Sequence, residues 1–143
     1  MASRRATPAD PARGAPRARA RRAAAARAMA LSFTGTGALH LLRPAVFDGA
    51  VPRVLGAPRP WVLASGAAEL VCAAALALPR TRRLGGALTT ALLLAVWPGN
   101  VSMALRADRS SRASTARKVV TAARVPLQLP MLVVAADVAR GDR

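Results

Sequence analysis

Residues 62–83, VLASGAAELVCAAALALPRTRR, decide the fold of this chain. Segment 62–78 is apolar with Glu69 as its only charge, and its length is at the lower end of what an α-helix needs to cross a hydrocarbon core of ~30 Å. PRTRR then makes a tight polar turn that begins with a proline, a residue common just past a helix end. A second apolar segment follows at 84–105. The stretch therefore predicts two neighbouring, antiparallel transmembrane helices.

Two more segments of the same kind lie on either side, at 23–42 and 119–138. In a chain of 143 residues, 53% of them hydrophobic, these segments leave no room for a separate soluble domain. Only 3% of the residues are aromatic, so a soluble core would have to be built from Ala, Leu and Val. Burial of these small side chains would not offset the conformational entropy that the chain loses on folding. In lipid, where no water is present, an α-helix forms all the hydrogen bonds of its backbone N–H and C=O groups within itself. The sequence predicts an all-α fold, an integral membrane four-helix bundle over 23–143.

The charges favour a membrane protein over a nucleic-acid-binding one. The formal net charge of +16 would ordinarily suggest phosphate binding. The basic residues, however, form clusters that bracket the apolar segments, and no aromatic side chains alternate with them as base stacking requires. Residues 1–22, MASRRATPADPARGAPRARARR, show no apolar periodicity and are predicted to be a disordered basic tail, retained rather than cleaved. We expect a lipid bilayer as partner, and no nucleic acid.

The basic clusters also predict an orientation. With the N-terminus inside, more basic residues lie near the inner ends of the spans than near the outer ends, even though cluster 106–118 then lies outside. Both termini are therefore predicted to be cytoplasmic. The long connection 43–61 has apolar residues among four prolines. We expect it to lie in the membrane interface or to dip back into the bundle, with Trp61 at headgroup depth.

Five polar residues within the predicted spans, together called the polar layer, are the candidate site residues: His40, Glu69, Asn100, Arg124 and Gln128. Ionisable groups at such depth cost at least ~2.5 kcal/mol each on insertion scales, so they indicate a functional site by default. Consecutive spans alternate in direction, which places the first four near the same membrane surface. At 1.5 Å per residue, Glu69, Asn100 and Arg124 lie roughly 9–11 Å below it. Gln128 is one turn deeper on the face of Arg124.

The polar layer supports two interpretations. We expect Glu69 and Arg124 to form an ion pair inside the bundle, with Asn100 and His40 close by, because an isolated charge there would snorkel or change its protonation state. Such a layer either fixes helix register and bundle geometry or holds a ligand or a proton. A single cysteine and a single histidine exclude an intrachain disulfide, a CxxC redox pair and a Cys/His metal cluster. No catalytic motif is present, so no catalytic residue is predicted.

Five short motifs occur in order along the chain: H-x-x-x-P, S-G-x-x-E, P-R-T-R-R, P-x-N-x-x-M-A and R-x-P-L-Q. They lie within HLLRPAVFDGAVPRVLGAPRPWVLASGAAELVCAAALALPRTRRLGG, WPGNVSMAL and RVPLQLP, which are residues 40–86, 97–105 and 124–130. With these motifs, the region from Ala28 to Val138 resembles the DoxX-like family of small four-helix bacterial membrane proteins. By that resemblance, the recurring polar and turn positions of the family are His40, Pro44, Glu69, Asn100, Arg124 and Gln128.

The resemblance implies a bacterial inner-membrane protein. The family is named for subunits of a thiosulfate:quinone oxidoreductase, and some members are linked to membrane complexes that counter oxidative or thiol stress. We therefore expect a non-catalytic subunit or scaffold of a membrane complex rather than an enzyme. One alternative is a quinone-interacting subunit of a membrane oxidoreductase, in which Arg124, Gln128 or His40 bonds a quinone carbonyl. The other is a small proton-coupled transporter that uses Glu69. No cofactor is evident from the residues; a bound quinone or a partner would have to supply any redox chemistry.

Overall fold

The computed structural model describes residues 11–141, and this part of the chain contains helices and no β-strand. The four α-helices are α1 Pro11–Leu42, α2 Pro58–Ala77, α3 Arg82–Arg109 and α4 Thr115–Arg140. Between α1 and α2 lie three short 3-10 helices, Pro44–Val46, Asp48–Ala50 and Arg53–Leu55. The predicted all-α fold class is confirmed.

Local sequence signals explain several of the helix ends. Pro58 occupies the first turn of α2, where a missing N–H has no intrahelical partner to lose. The helix α4 begins after Ser114, whose hydroxyl accepts a hydrogen bond of 3.3 Å from the backbone N–H of Arg117. The same helix ends at Arg140 and is capped by Gly141, which adopts a φ of 66°, in the left-handed region that favours glycine.

Three helices, α2, α3 and α4, are long and apolar enough to cross a membrane, judged by length and composition. Their bounds agree with the predicted spans 62–78, 84–105 and 119–138 to within a few residues. The helix α1 does not reach the same apolarity, although a span is predicted at 23–42. The physical reason lies in its sequence, because Arg27 and several Ser, Thr and Gly residues interrupt its apolar side chains.

The predicted disordered tail, 1–22, is wrong for residues 11–22, which form the first part of α1. Residues 1–10 lie outside the described residues. Alanine and arginine are both strong helix formers, and this intrinsic preference acts against the disorder that the charge suggests. A tertiary contact adds to it, since Arg22 donates to the carboxylate of Asp137 at 2.9 Å and to the carbonyl of Gly141 at 2.9 Å. The basic segment is therefore tied to the end of α4.

Glycines let α1 and α2 approach closely. A Cβ built on Gly66 of α2 would lie 2.6 Å from the Cβ of His40, and one built on Gly37 of α1 would lie 2.9 Å from the carbonyl oxygen of Gly66. Atoms cannot come this close, so any side chain at either position would push the two helices apart. This close packing brings the backbone of α2 next to the end of α1 that carries His40.

Two consecutive glycines, Gly85 and Gly86, let α3 approach its neighbouring helices closely. A Cβ on Gly85 would lie 2.6 Å from the backbone nitrogen of Leu76 in α2, and one on Gly86 would lie 2.6 Å from that of Ala139 in α4. Adjacent residues of an α-helix point about 100° apart. The pair therefore lets α3 pack against two different neighbours at one level.

The apolar core and the polar residues occupy different ends of the molecule. We call the end with Arg22, residues 78–81 and Gly141 the terminal end, and the end with residues 43–57 and 110–114 the loop end. The core cluster lies mainly toward the terminal end and consists of Ala26, Met29, Ala30, Phe33, Cys72, Ala73, Leu76, Leu93, Ala135 and Val138. The polar layer lies toward the loop end, where fewer apolar side chains are buried.

Candidate functional site

One hydrogen-bonded group in the polar layer joins α1 to α2. The Nδ1 atom of His40 is 2.8 Å from the carbonyl oxygen of Thr36 and 3.6 Å from Oε2 of Glu69. Because both neighbours are acceptors, Nδ1 carries the proton and donates to the Thr36 carbonyl. The hydroxyl of Thr36 donates to the same Glu69 oxygen. Only 10% of the His40 side chain and 15% of the Glu69 side chain are exposed, so these groups satisfy one another away from solvent.

A second group joins α3 to α4. The amide nitrogen of Asn100 donates to Oε1 of Gln128 at 2.9 Å, and the amide nitrogen of Gln128 donates to the main-chain carbonyl of Leu93. Gln128 is 2% exposed, so both of its hydrogen bonds lie inside the protein. The accepting carbonyl is next to that of Leu94, which Pro98 leaves without its intrahelical N–H donor. Gln128 thus bonds α3 both at a side chain and at its backbone.

The predicted ion pair between Glu69 and Arg124 does not form among the described residues. Glu69 already contacts His40 and Thr36. The guanidinium carbon of Arg124 instead lies 5.9 Å from the centroid of the Phe47 ring. The same ring stacks on His40, with 3.7 Å between centroids and an interplanar angle of 18°. The prediction was wrong because a loop residue, Phe47, contacts both His40 and Arg124, while the carboxylate has other partners.

The loop that follows α1 dips into the protein at one residue. Phe47 is 5% exposed, whereas Val54 of the same loop is 90% exposed. Arg106 of α3 fixes the segment, since its Nη2 atom donates to the carbonyls of Gly49 at 2.5 Å and Val51 at 3.1 Å. The loop therefore returns into the protein at Phe47, as one of the two predicted alternatives has it, while its position in a membrane interface stays a prediction.

Sequence reasoning missed three residues that shape the site. Thr36 could have been found, because it precedes His40 by one helical turn and shares its face. Phe47 and Arg106 could not, because their contacts depend on how the 3-10 helices fold back on α3. Among the described residues, His, Cys, Asp and Glu side chains form no group of three that could hold a metal ion.

The fold and the site define an all-helical protein with three helices apolar enough to cross a membrane and a polar layer between its helices. The family model of a domain of unknown function, DUF8561, matches residues 29–139. This chain therefore belongs to the DUF8561 family. No curated protein and no solved structure matches the sequence. The resemblance to the DoxX-like family stays a prediction.

Proposed function

We propose that this protein is a four-span bundle in the bacterial inner membrane, with both termini cytoplasmic, and that it acts as a non-catalytic subunit or scaffold of a membrane complex. The three helices of high apolarity support membrane insertion. The helix α1 joins them as a fourth span, because it packs along α2 through Gly37 and Gly66. Its polar residues Thr36 and His40 then face α2 and not the lipid.

The observation that carries this proposal is the internal pairing of the polar layer. Glu69 bonds Thr36, and Gln128 bonds both Asn100 and a main-chain carbonyl. A buried polar group without a partner costs several kcal/mol in an apolar medium, so these contacts hold the helices in one arrangement. A ligand site, by contrast, directs polar groups into a concave pocket. Four of the five residues are thus engaged in contacts between helices.

Arg124 supports the second candidate, a quinone-interacting subunit of a membrane oxidoreductase. Within the described residues its guanidinium has no hydrogen-bond or ion-pair partner, and it is half-buried beside the Phe47 ring. A guanidinium donates well to a carbonyl oxygen, and a quinone ring can stack on an aromatic side chain. The third candidate, a proton-coupled transporter, rests on the contact between two titratable groups, His40 and Glu69.

The deciding experiment purifies the full chain from native membrane in mild detergent and identifies the proteins that accompany it. Two variants separate the candidates, Arg124→Leu and Glu69→Gln, with Arg109→Leu as a matched control because Arg109 is exposed at the same end. If the protein is a scaffold, the same proteins accompany the wild type and the Arg124→Leu and Arg109→Leu variants. The purified wild type then binds no ubiquinone analogue.

Three outcomes would overturn the scaffold. Binding of the ubiquinone analogue that is lost in Arg124→Leu and kept in Arg109→Leu would establish the quinone-interacting subunit. A pH-dependent flux in liposomes that is lost in Glu69→Gln would establish transport. Absence of any accompanying protein, together with no quinone binding and no flux, would also refute a role in a complex.

A further inference from the structure

Some arginines at the terminal end are used to hold the helices together. Arg22 and Arg83 donate to main-chain carbonyls at the end of α4, those of Gly141 at 2.9 Å and Ala139 at 3.4 Å. Arg82 does the same at the end of α2. The last carbonyls of a helix lack intrahelical donors and carry partial negative charge, so basic side chains stabilise them. These three arginines have a structural role.

A second set of arginines at the same end has no such role: Arg17, Arg21, Arg80 and Arg140. All four are exposed, and their side chains have no hydrogen-bond or ion-pair partner between residues 11 and 141. Arg17 and Arg21 are one helical turn apart and therefore share a face of α1. The acidic side chain described at this end is Asp137, and Arg22 already pairs with it at 2.9 Å. Between residues 11 and 141, no acidic side chain pairs with Arg17, Arg21 or Arg80, and Arg140 has only a coulombic interaction with the already paired Asp137.

The length of α1 places this charge at the level of lipid phosphates. The helix has 32 residues and is about 48 Å long at 1.5 Å per residue, against a hydrocarbon core of ~30 Å. When residues 23–42 span that core, Arg21 and Arg17 lie roughly 3 Å and 9 Å beyond its edge, which is the depth of the headgroup layer. The contact of Arg22 with α4 holds this part of α1 beside the other helices.

We propose that the exposed arginines of the terminal end bind the headgroup of an anionic phospholipid. Guanidinium groups bond phosphate oxygens in pairs, and the turn spacing of Arg17 and Arg21 presents two of them to one headgroup. Arg80 and Arg140 supply further positive charge at the same end. This inference rests on the proposed membrane insertion. It adds a lipid ligand that contacts none of the polar-layer residues.

The test measures lipid selectivity of the full chain reconstituted in phosphatidylcholine bilayers that contain a spin-labelled lipid. The fraction of motionally restricted spin label gives the association of phosphatidylglycerol relative to phosphatidylcholine. We expect wild type to prefer phosphatidylglycerol by at least about threefold at low salt, and the double variant Arg17→Gln/Arg21→Gln to lose most of this preference. The matched control is Arg53→Gln/Arg59→Gln, which removes the same charge from exposed positions at the loop end and keeps the preference.

Three results would overturn the lipid site. They are no preference in wild type, an equal loss in both double variants, and loss of the preference in sodium phosphate but not in sodium chloride of the same ionic strength. The last would indicate a site for free phosphate. Retention of each variant in membranes after an alkaline carbonate wash separates this inference from the proposed function. Extraction of the wild type would refute membrane insertion itself, whereas retention without lipid preference would refute the lipid site alone.

Discussion

Replacing Gln128 by leucine tests whether the polar layer stabilises the protein. The substitution removes the hydrogen bonds to Asn100 and to the carbonyl of Leu93. In the proposed membrane setting, hydrogen bonds between helices average ~0.6 kcal/mol, so two of them contribute about 1.2 kcal/mol. The Asn100 amide, left half-buried without its partner, adds about 1 kcal/mol. Leucine and glutamine have similar volumes, which keeps the packing cost small. We expect a loss of about 2 kcal/mol in the free energy of unfolding.

The assay is reversible unfolding in mixed micelles of dodecylmaltoside and SDS, followed by circular dichroism. The double variant Asn100→Leu/Gln128→Leu removes both polar groups together and should lose less than the sum of the single losses, with a coupling energy of roughly 0.6–1.7 kcal/mol. Leu127→Ala, at an exposed neighbouring position, should change the stability by less than about 0.5 kcal/mol. If Gln128→Leu costs no more than this control, or the coupling energy is near zero, the polar layer does not stabilise the protein.

Two further substitutions probe the packing and the loop. Gly66→Ala should destabilise the protein by about 1–3 kcal/mol in the same assay, because the new Cβ would lie 2.6 Å from the Cβ of His40. The control Gly35→Ala, where nothing lies within 4 Å, should be neutral or slightly stabilising. An equal loss of stability in the two variants would contradict the close packing. Arg106→Gln should destabilise by about 1–3 kcal/mol and speed tryptic cleavage after the exposed Arg53, because the loop carbonyls lose their donor. Arg109→Gln, at an exposed position of the same helix, should leave both measurements unchanged, and a similar effect there would refute the role of Arg106.

Apolar composition and segment length predicted the helices well because they depend on local sequence. The apolar segments 62–78, 84–105 and 119–138 are within a few residues of α2, α3 and α4. The same reasoning failed at the start of α1. There the composition of residues 11–22 suggests disorder, but helix propensity and the contact of Arg22 with α4 give a helix.

The site was predictable in part, and the limit has a physical cause. Alternation of span direction suggests which side chains share a level, and the structure joins His40 to Glu69 and Asn100 to Gln128. The alternation of span direction alone cannot decide which side chains at one level pair with each other. Rotation of each helix about its axis decides this choice, as does the path of the loop that brings Phe47 beside Arg124.

The contacts of Gly86 and Gln128 fix α4 on α3 at two separate points. Gly86 touches α4 near Ala139, and seven residues further along α3, about 10 Å away, Leu93 accepts from Gln128. A slide of α4 by a single residue would break the hydrogen bond and force the glycine contact apart. The two contacts therefore hold α3 and α4 in a single register. Gly85 against Leu76 and Gly66 against His40 set the α2–α3 and α1–α2 contacts at the same close distance, so every consecutive pair of the four helices has a glycine contact.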